Sequence, residues 1–497
     1  MPRRAVIHAD ATVEGGFGHL MRALAVGQEA TGRGWTVEIV GDILDDARER
    51  VDSMAPEVAI RSFKKNQATD FLSAAAHTHD VVHIDSYDAV PDITGDRALV
   101  SNMQDGPYGV RTADLAIDAN LGAEGWFDSS ARSAHRLIGV DAAVIRSQVR
   151  RQRDVPVVAG DRPRLLVVMG GTDPQRLTGR ILEGLARIEA PLEVTVVAAA
   201  DRHDELRNVI DDAVHIVDFH PFVSDLPALA RQQTLVITAA GTSVWDFACL
   251  GTPMALVCAV DNQRRGYDAA VGGGLGTGLG VPPHTALVDR VAGLAELVVD
   301  RARLDAQAAH AAALVDGLGV WRIVSAWEQL LEKPVGTGAP GACAVRRATM
   351  ADARTLFDWR NDETTRQNSR SSGVLVWEDH LAWLARCLAD SERRLLVVSQ
   401  GSYDIGTVRW DRHADHDWEI SIALAPQSRG RGLGAAALAA GEKALDVDAP
   451  LRMLAGIHSD NGASRRLFER AGYLPHLPAD GNGFEMRAKW RLPDDSE

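Results

Sequence analysis

The sequence predicts an α/β protein with two parallel, doubly wound domains followed by a smaller α+β domain. Over the first two thirds of the chain, short β-branched runs alternate with longer helical stretches. Some of these runs, such as 165–168 (LLVV), are apolar at every position, as strands covered by helices on both faces are. Beyond a stretch rich in Pro and Gly at 333–342, helical segments come first and several strands then follow one another.

Length and composition fit several globular domains and exclude other classes of protein. The chain has 497 residues, of which 46% are hydrophobic and 24% charged. A net charge of −15 without a basic block argues against a nucleic-acid partner. No window has the roughly 18 uninterrupted apolar residues of a membrane helix, and MPRRAVIHAD lacks a signal-peptide core, so we expect a cytoplasmic protein without a membrane partner. The four cysteines form no close pair, and we expect no disulfide framework and no metal site.

The pattern of strands, helices and breaks predicts domains at 1–155, 156–332 and 343–497, joined in the last case by a linker at 333–342. The predicted strands of the first two domains are Ala5–Ala9, Thr36–Val40, Asp80–Ile84, Arg164–Met169, Glu193–Ala198, Ala213–Val217, Thr234–Thr238 and Met254–Ala259. Those of the third are Arg394–Ser399, Ile405–Trp410 and Trp418–Leu424, and helices are predicted at Val320–Leu331 and Ala435–Leu445.

A glycine-rich turn follows the first predicted strand. The segment EGGFGHLMR at 14–22 places His19 where a strand meets a helix, at the edge of the sheet where α/β proteins bind ligands. A helix N-terminus disfavours a positive charge, so a neutral imidazole there is a candidate to accept a proton from water. From spacing alone, a histidine that only caps or packs is an equal alternative.

Two further strand-to-helix turns lie in the second predicted domain. The segments MGGTD at 169–173 and AAGTSVWD at 239–246 place small residues before a helix, so that backbone N–H groups can meet a phosphate. Asp246 is a candidate to bind ribose hydroxyls, with a helix-dipole role as the alternative. Asn262 and Gln263 follow another strand and, taken singly, are more typical of a solvated loop. Together these segments predict a site for a nucleoside diphosphate.

Three stretches carry a resemblance to a known family: HADATVEGGFGHLMR at 8–22, MGGTDPQRLT at 169–178 and AAGTSVWDFACLGTPMALVCAVDNQ at 239–263. They resemble the UDP-sugar hydrolases of pseudaminic acid synthesis, which act on UDP-2,4-diacetamido-2,4,6-trideoxy-β-L-altropyranose and are relatives of the GT-B glycosyltransferases. The resemblance implies a GT-B-like pair of domains, no metal, and His19 as the group that activates water. The nucleotide-binding residues that it implies are Gly171, Thr172, Gly241, Thr242, Ser243, Asp246, Asn262 and Gln263. The sugar-binding residues predicted at the strand ends are Asp10, Gly18, Asp85, Tyr87 and Asn120.

The sequence departs from that family mainly on the sugar side. His8 stands where the family usually has Arg, and Gly15-Gly16 where it has Ile-Gly. The Asp-Asp-Leu segment of the family is replaced by NMQDG at 102–106, and Asp246 stands where Glu is usual. These changes bear on the identity of the sugar more than on that of the nucleotide.

A second kind of glycine-rich loop lies in the last third of the chain. The segment RGRGLG at 429–434 lies between a predicted strand and a predicted helix, where a ring of backbone amides suits a pyrophosphate and the arginines add positive charge. The segment NGASRRLFERAGY at 461–473 follows at the expected distance. Together they resemble the GNAT-type N-acetyltransferases, which use acetyl-CoA. The predicted acetyl-CoA-binding residues are Arg429, Gly430, Arg431, Gly432, Gly434 and Asn461.

The segments WRNDE at 359–363 and WEDHLAW at 377–383 narrow this second resemblance to the GNAT enzyme that acetylates the 4-amino group of a UDP-4-amino-4,6-dideoxy sugar. Glu419, on the strand before the loop, is a candidate to remove the amine proton through water, with a surface carboxylate as an equal alternative. His380 and Trp383 are candidates for the acceptor pocket, and core packing is as good an interpretation of Trp383. Phe468 stands where such enzymes commonly have a Tyr that protonates the departing thiolate, so that role stays open.

The sequence therefore predicts a bifunctional enzyme that takes acetyl-CoA as cosubstrate and a UDP-linked amino-deoxy sugar. One part would acetylate the sugar, and the other would hydrolyse the product at its anomeric carbon, with inversion, to the free sugar and UDP. One alternative is a GT-B glycosyltransferase fused to an acetyltransferase. The other is a non-catalytic UDP-sugar-binding module on an acetyltransferase.

Overall fold

The computed structural model divides the chain into two compact units, Met1–Val324 and Ser325–Glu497. It describes residues 2–12, 17–88, 92–93, 97–130, 133–158, 160–170, 173, 175–210, 214–332, 343–445, 447 and 449–493. The predicted linker at 333–342 and the predicted nucleotide-binding residues Gly171 and Thr172 lie outside the described residues. In the described part of the chain, no helix combines the length and the apolar character needed to cross a bilayer.

The first sheet contains seven parallel strands, with the order reversing at β1 and β4. Its strands are β1 (Arg4–Ala9), β2 (Thr36–Gly41), β3 (Ala59–Ser62), β4 (Val81–Asp85), β5 (Leu99–Met103), β6 (Ala113–Asp118) and β7 (Ser133–Ile138). They lie in the order β3-β2-β1-β4-β5-β6-β7. The helices of this part are α1 (Gly18–Gly32), α2 (Asp45–Met54), α3 (Ala68–Ala75) and α4 (Ser147–Gln152). Such a reversal opens a crevice at the carboxyl ends of the strands, where ligands bind in α/β folds.

The second sheet contains six parallel strands in the order β10-β9-β8-β11-β12-β13. These are β8 (Arg164–Val168), β9 (Glu193–Val197), β10 (Ile216–His220), β11 (Leu235–Ala239), β12 (Met254–Val257) and β13 (Thr277–Gly280). The helices are α5 (Leu177–Leu185), α6 (His203–Arg207), α7 (Leu226–Arg231), α8 (Ser243–Leu250), α9 (Arg264–Gly272), α10 (Leu287–Ala292), α11 (Leu294–Leu297), α12 (Arg301–Leu314) and α13 (Gly319–Leu331). Leu165 and Val167 pack in one core and Leu166 and Val168 in the other, which explains why this strand is apolar at every position.

The third sheet, in the second unit, is mixed and has the order β14-β15-β16-β17-β18-β20-β19. Its strands are β14 (Ala344–Arg347), β15 (Arg393–Gln400), β16 (Tyr403–Arg412), β17 (Asp417–Leu424), β18 (Leu451–His458), β19 (Leu474–Leu477) and β20 (Phe484–Arg491). The helices are α14 (Ala353–Asn361), α15 (Glu363–Gln367), α16 (Trp377–Ala389), α17 (Leu433–Lys443) and α18 (Gly462–Arg470). The predicted fold class is confirmed: two parallel Rossmann-type sheets precede an α+β domain of the GNAT type.

The two central strands of the third sheet, β17 and β18, are parallel and separate along their length. Their pairing runs from Asp417↔Arg452 to Ile420↔Ala455 and then stops, although both strands continue. On its other side, β17 stays paired with β16 as far as Leu424. The backbone groups of 421–423 that face β18 are therefore available to a ligand in the opening, whereas the carbonyl oxygen of Leu424 accepts from Nε of Arg429 at 3.3 Å.

Candidate functional site

The carboxyl ends of β1, β4, β5 and β6 bring most of the predicted catalytic and sugar-side residues of the first sheet together. His19 lies in the first turn of α1, and its Nδ1 is 2.7 Å from Oδ1 of Asp85 at the end of β4. Arg22, one turn further along α1, donates to both carboxylate oxygens of Asp85, at 2.9 Å and 2.6 Å. Nη2 of Arg22 also lies 2.8 Å from Nδ1 of His19 and could donate only to the tautomer that has no hydrogen there. In the tautomer whose Nδ1–H donates to Asp85, Nε2 keeps the lone pair of a proton acceptor.

Asp85 is held as an anion beneath this histidine. Burial alone would raise the pKa of Asp85, but the charges of Arg22 and His19 and their hydrogen bonds hold it far below its usual range. The side chain is only 2% exposed. The structure thus places this predicted sugar-binding residue where it orients His19, beneath the surface that a sugar would meet.

Next to this pair, one ring contact and three hydrogen bonds link further side chains along the edge of the sheet. The ring of Tyr87 packs edge-on against that of His19, with 4.5 Å between the centroids, and its hydroxyl donates to Asp105 at 2.7 Å. Asn120 Nδ2 donates to Asp105 and to Asp118, both at 2.8 Å. Burial raises the pKa of Asp118 to about 6, although hydrogen bonds from Gly106 and Asn120 oppose the shift. Tyr87 therefore contacts His19 directly, and Asn120 is linked to Tyr87 through Asp105.

Asp10, which follows β1, mainly supports the neighbouring turns. Its Oδ1 accepts from the backbone N–H of Asp42 at 2.8 Å, and its Oδ2 accepts from the hydroxyl of Ser86 at 3.3 Å. Burial would raise the pKa of Asp10, but a hydrogen bond and the charge of nearby His8 outweigh it and lower the pKa. Asp10 therefore links the end of β1 to the segments that follow β2 and β4.

The turn between β11 and α8 faces the turn that carries His19. A β-carbon built on Gly18 would lie 3.7 Å from Oγ1 of Thr242, so the starts of α1 and α8 approach each other closely. Ser243 begins α8 after its N-cap Thr242, and the backbone N–H of Gly241 donates to the carbonyl oxygen of Ala239 at 2.8 Å. Gln263 accepts from the backbone N–H of Ala259 at 3.0 Å and directs its amide nitrogen towards Gly241. Thr242, Ser243 and Gln263 therefore lie at or near one helix N-terminus, which favours an anionic ligand.

Asp246, the predicted ribose-binding residue, already has a partner. Nη2 of Arg146, from the segment that follows β7, donates to its Oδ2 at 3.0 Å. Burial raises the pKa of Asp246, and the positive charge of Arg146 opposes this shift. Asn262, by contrast, is exposed at the start of the loop before α9.

In the second unit, the predicted coenzyme loop follows β17 directly. Gly430 and Gly432 have left-handed backbones, with φ of 69° and 74°, and nothing lies within 4 Å of a β-carbon built on either residue. Gly432 is also the N-cap of α17, and Gly434 lies in the first turn of that helix, against Leu467. This loop therefore offers backbone amides and open space at a helix N-terminus.

The two arginines of this loop differ in their surroundings. Arg429 forms an ion pair with Asp362 at 2.7 Å and donates to Oγ1 of Thr365 at 2.6 Å. Arg431 is exposed and has no hydrogen bond or ion pair with the residues that the structure describes. Positive charge that is free to meet a phosphate thus comes from Arg431, whereas Arg429 holds the loop to α15. Asn461 caps α18 by accepting from the backbone N–H of Ser464 at 3.0 Å.

The predicted acceptor-side residues of the second unit have separate locations. Glu419 lies on β17, one residue before its pairing with β18 stops, and it contacts Arg370 and His413. His380 is 3% exposed, donates from Nε2–H to the carbonyl oxygen of Ala353 at 3.0 Å, and packs among aromatic rings. This placement favours core packing for His380, and the adjoining Trp383 stacks against it and against Arg409.

Phe468 is buried in the core of the second unit, 2% exposed, with its ring against that of Tyr473. It has no group that could protonate a thiolate.

Sequence reasoning missed four arginine and histidine residues that complete these sites: Arg22, Arg146, Arg370 and His413. Only Arg22 could have been found, because it lies three residues after His19 on the same face of a predicted helix. The other three reach their partners from distant parts of the chain or across a turn.

Comparison with known proteins separates the two units. Residues 344–474 match the family model of the acetyltransferase (GNAT) domain. An uncharacterized protein of Methanocaldococcus jannaschii, MJ1062, is 24% identical over 286 residues, which are 53% of this chain and 57% of that protein. A UDP-N-acetylglucosamine--N-acetylmuramyl-(pentapeptide) pyrophosphoryl-undecaprenol N-acetylglucosamine transferase of Mesorhizobium japonicum is 26% identical over 332 residues, 59% of this chain and 87% of the transferase.

Among solved structures, MurG of Acinetobacter baumannii covers 66% of this chain and 100% of its own, with 16% identity and a TM-score of 0.48. The chain spans less than two thirds of the length of the first curated relatives that it matches. It therefore carries a C-terminal GNAT acetyltransferase domain after an N-terminal GT-B-like pair of domains related to a UDP-N-acetylglucosamine transferase.

Proposed function

We propose that this protein acts twice on one UDP-linked sugar. The second unit transfers an acetyl group from acetyl-CoA to a 4-amino group of a UDP-4-amino-4,6-dideoxy sugar. The first unit then cleaves the bond between the anomeric carbon and UDP in the 2,4-diacetamido-2,4,6-trideoxy product, with water as the nucleophile and inversion at that carbon. These are reactions of a pseudaminic-type nonulosonic acid pathway.

The observation that carries the cleavage step is the pairing of His19 with Asp85 opposite the N-terminus of α8. A histidine whose Nδ1 is bound to an anion offers Nε2 as a general base for water. Negative charge develops on the departing diphosphate, and the backbone amides of Thr242 and Ser243 at the helix N-terminus would stabilise it. Gly18 and Thr242 are close enough for one substrate to reach both groups.

For acetyl transfer, the supporting observation is the opening between β17 and β18 beside the Gly430–Gly432 loop. The opening leaves backbone groups for the pantetheine arm, and the loop receives the pyrophosphate of the coenzyme. Binding in this position directs the thioester towards Glu419, where the amine must attack.

A glycosyltransferase is the second candidate for the first unit, because the Mesorhizobium relative is an N-acetylglucosamine transferase. The two candidates differ in the nucleophile, which is water in one and an acceptor alcohol in the other. A non-catalytic UDP-sugar-binding module is the third and would bind UDP without turnover.

The test is to incubate the full chain with acetyl-CoA and a panel of UDP-4-amino-6-deoxy sugars and to follow CoA and UDP separately. We expect CoA release first and UDP release afterwards, without any added acceptor. His19→Ala should abolish UDP release and leave CoA release intact. UDP release that requires an added alcohol would favour the glycosyltransferase, and tight UDP binding without turnover would favour the binding module.

A further inference from the structure

Glu419 has both carboxylate oxygens in hydrogen bonds, which bears on its predicted role as a base. Nη2 of Arg370 donates to Oε1 at 2.9 Å, and Nε2 of His413 lies 2.9 Å from Oε2. The Glu419 side chain is 18% exposed and that of His413 is 51% exposed. The carboxylate is thus directed at two protein partners. The imidazole keeps one ring nitrogen, Nδ1, free of the carboxylate.

This cluster lies at the point where the coenzyme opening begins. A β-carbon built on Gly456 of β18 would lie 3.2 Å from Oε1 of Glu419 and 2.9 Å from Nη2 of Arg370. The neighbours of Glu419 on β17, Trp418 and Ile420, instead belong to the buried core. Glu419 and Arg370 therefore lie on the opposite face of the sheet, beside the place where β17 and β18 part, and His413 contacts Glu419 from the turn between β16 and β17.

We propose that His413 accepts the proton of the attacking amine and that Glu419 is a positioning residue, which orients and polarises its imidazole. The inference rests on the proposed acetyl transfer. As the C–N bond forms and the C–S bond of the thioester breaks, the proton on nitrogen passes to Nδ1 of His413. Coenzyme A leaves as a thiolate, which takes a proton from solvent, and the imidazolium then returns its own proton to solvent.

The charged groups nearest to His413 come from the end of β16, from β17 and from the segment after α15. Glu419 is the ionisable side chain in contact with the ring among the described residues, and Arg370 stands behind it. In the same turn, Arg412 is paired with Glu392 at 3.1 Å, and the backbone N–H of His413 donates to the carbonyl oxygen of Asp417. An exposed pair with only a structural role would not alter a pH–rate profile.

The first test compares His413→Gln with Glu419→Gln in the full chain. A glutamine at 413 keeps an N–H for Glu419 and cannot accept a proton. We expect His413→Gln to lower kcat for CoA release by about 100-fold and to remove the acidic limb of the pH–rate profile, and Glu419→Gln to lower kcat by about 10-fold. His416→Gln is the matched control, because His416 lies in the same turn and contacts the carbonyl oxygen of Pro450 instead. A His413→Gln variant with the wild-type rate and pH profile, beside an inactive Glu419→Gln variant, would overturn the inference.

The second test needs no sugar. The His413 ring is titrated by NMR in the wild-type protein and in Glu419→Gln. We expect the midpoint to fall when the neighbouring carboxylate becomes a neutral amide, and an unchanged midpoint would overturn the pairing. If the wild-type protein releases no CoA with any sugar of the panel, the proposed function fails, and the role of His413 with it. Wild-type turnover with an unaffected His413→Gln variant defeats this inference alone.

Discussion

Nδ1 of His19 and Oδ1 of Asp85 are 2.7 Å apart, which joins the first turn of α1 to the end of β4. Arg22, one turn further along α1, donates to both oxygens of the same carboxylate. His19, Asp85 and Arg22 thus form one hydrogen-bonded group that joins α1 to β4. This arrangement makes Asp85 a residue whose removal should affect the chemistry of the first unit without emptying its binding site.

Asp85→Asn should lower the rate of UDP release by about 10²- to 10⁴-fold, because a neutral amide neither fixes the Nδ1–H tautomer nor stabilises an imidazolium. KM for the UDP-sugar should change little, since the side chain is buried. Steady-state UDP release measures the effect. CoA release by the same variant serves as the internal control, and an unchanged rate of UDP release would refute the positioning role.

Arg431→Ala should weaken acetyl-CoA binding by about 5- to 10-fold, the loss of roughly one charge-assisted hydrogen bond, without changing the thermal unfolding of the second unit. Arg429→Ala should instead lower the unfolding temperature, because it leaves Asp362 without its ion pair. Calorimetric titration with acetyl-CoA and thermal melts measure both effects. If Arg431→Ala lowered the unfolding temperature and Arg429→Ala weakened acetyl-CoA binding instead, the assignment of the free positive charge to Arg431 would be wrong.

Gly432→Ala should destabilise the second unit by about 1–2 kcal/mol, because φ of 74° is costly for a residue with a β-carbon. Nothing lies within 4 Å of that β-carbon, so the cost is one of backbone conformation and not of collision. Gly432→Asn is the matched variant and should lose less stability than Gly432→Ala, since Asn tolerates the left-handed region better than Ala does. Denaturant unfolding measures the difference, and equal losses would point to a steric cause.

Asp118 should make the first unit less stable as the pH rises from about 4 to 6. Its pKa is raised from 3.8 to about 6, so the folded protein binds the proton more tightly than the unfolded chain, and stability falls with rising pH through that window. A shift of this size corresponds to about 3 kcal/mol as an upper limit. The difference in unfolding free energy between wild type and Asp118→Asn, measured across this range, should change by an amount of this order. A constant difference would contradict the shift.

The sequence predicts β1 and β4, although they bury His8 and His83, and misses other strands whose apolar runs are interrupted or short. Strand β8 is apolar throughout and was predicted within a residue of its end. Strand β5 (Leu99–Met103) was missed because Ser101 and Asn102 interrupt its apolar run, although both are buried and hydrogen-bonded, to His83 and to Gly109. Strand β14 was missed as well, since a short edge strand with two exposed arginines has no alternating pattern to detect.

In the candidate sites, too, the sequence predicts features that depend on neighbouring residues and does not predict which distant side chains meet. Glycine-rich turns such as that around Gly432 are local and could be read from residue order, because a left-handed backbone and a helix N-terminus need particular residues. Which side chains meet is not local: 66 residues separate His19 from Asp85, and 100 separate Arg146 from Asp246. Burial of His380 could not be read either, since its neighbours in the sequence are equally compatible with a pocket and with a core.

The ion pair between Arg146 and Asp246 joins two halves of the first unit. Arg146 follows β7, the last strand of the first sheet, and Asp246 lies in the first turn of α8, a helix of the second half. If a ribose bound to Asp246, Arg146 would lose this partner, and its guanidinium could pair with the diphosphate of the same nucleotide. Nucleotide binding would then be coupled to the contact between the two halves.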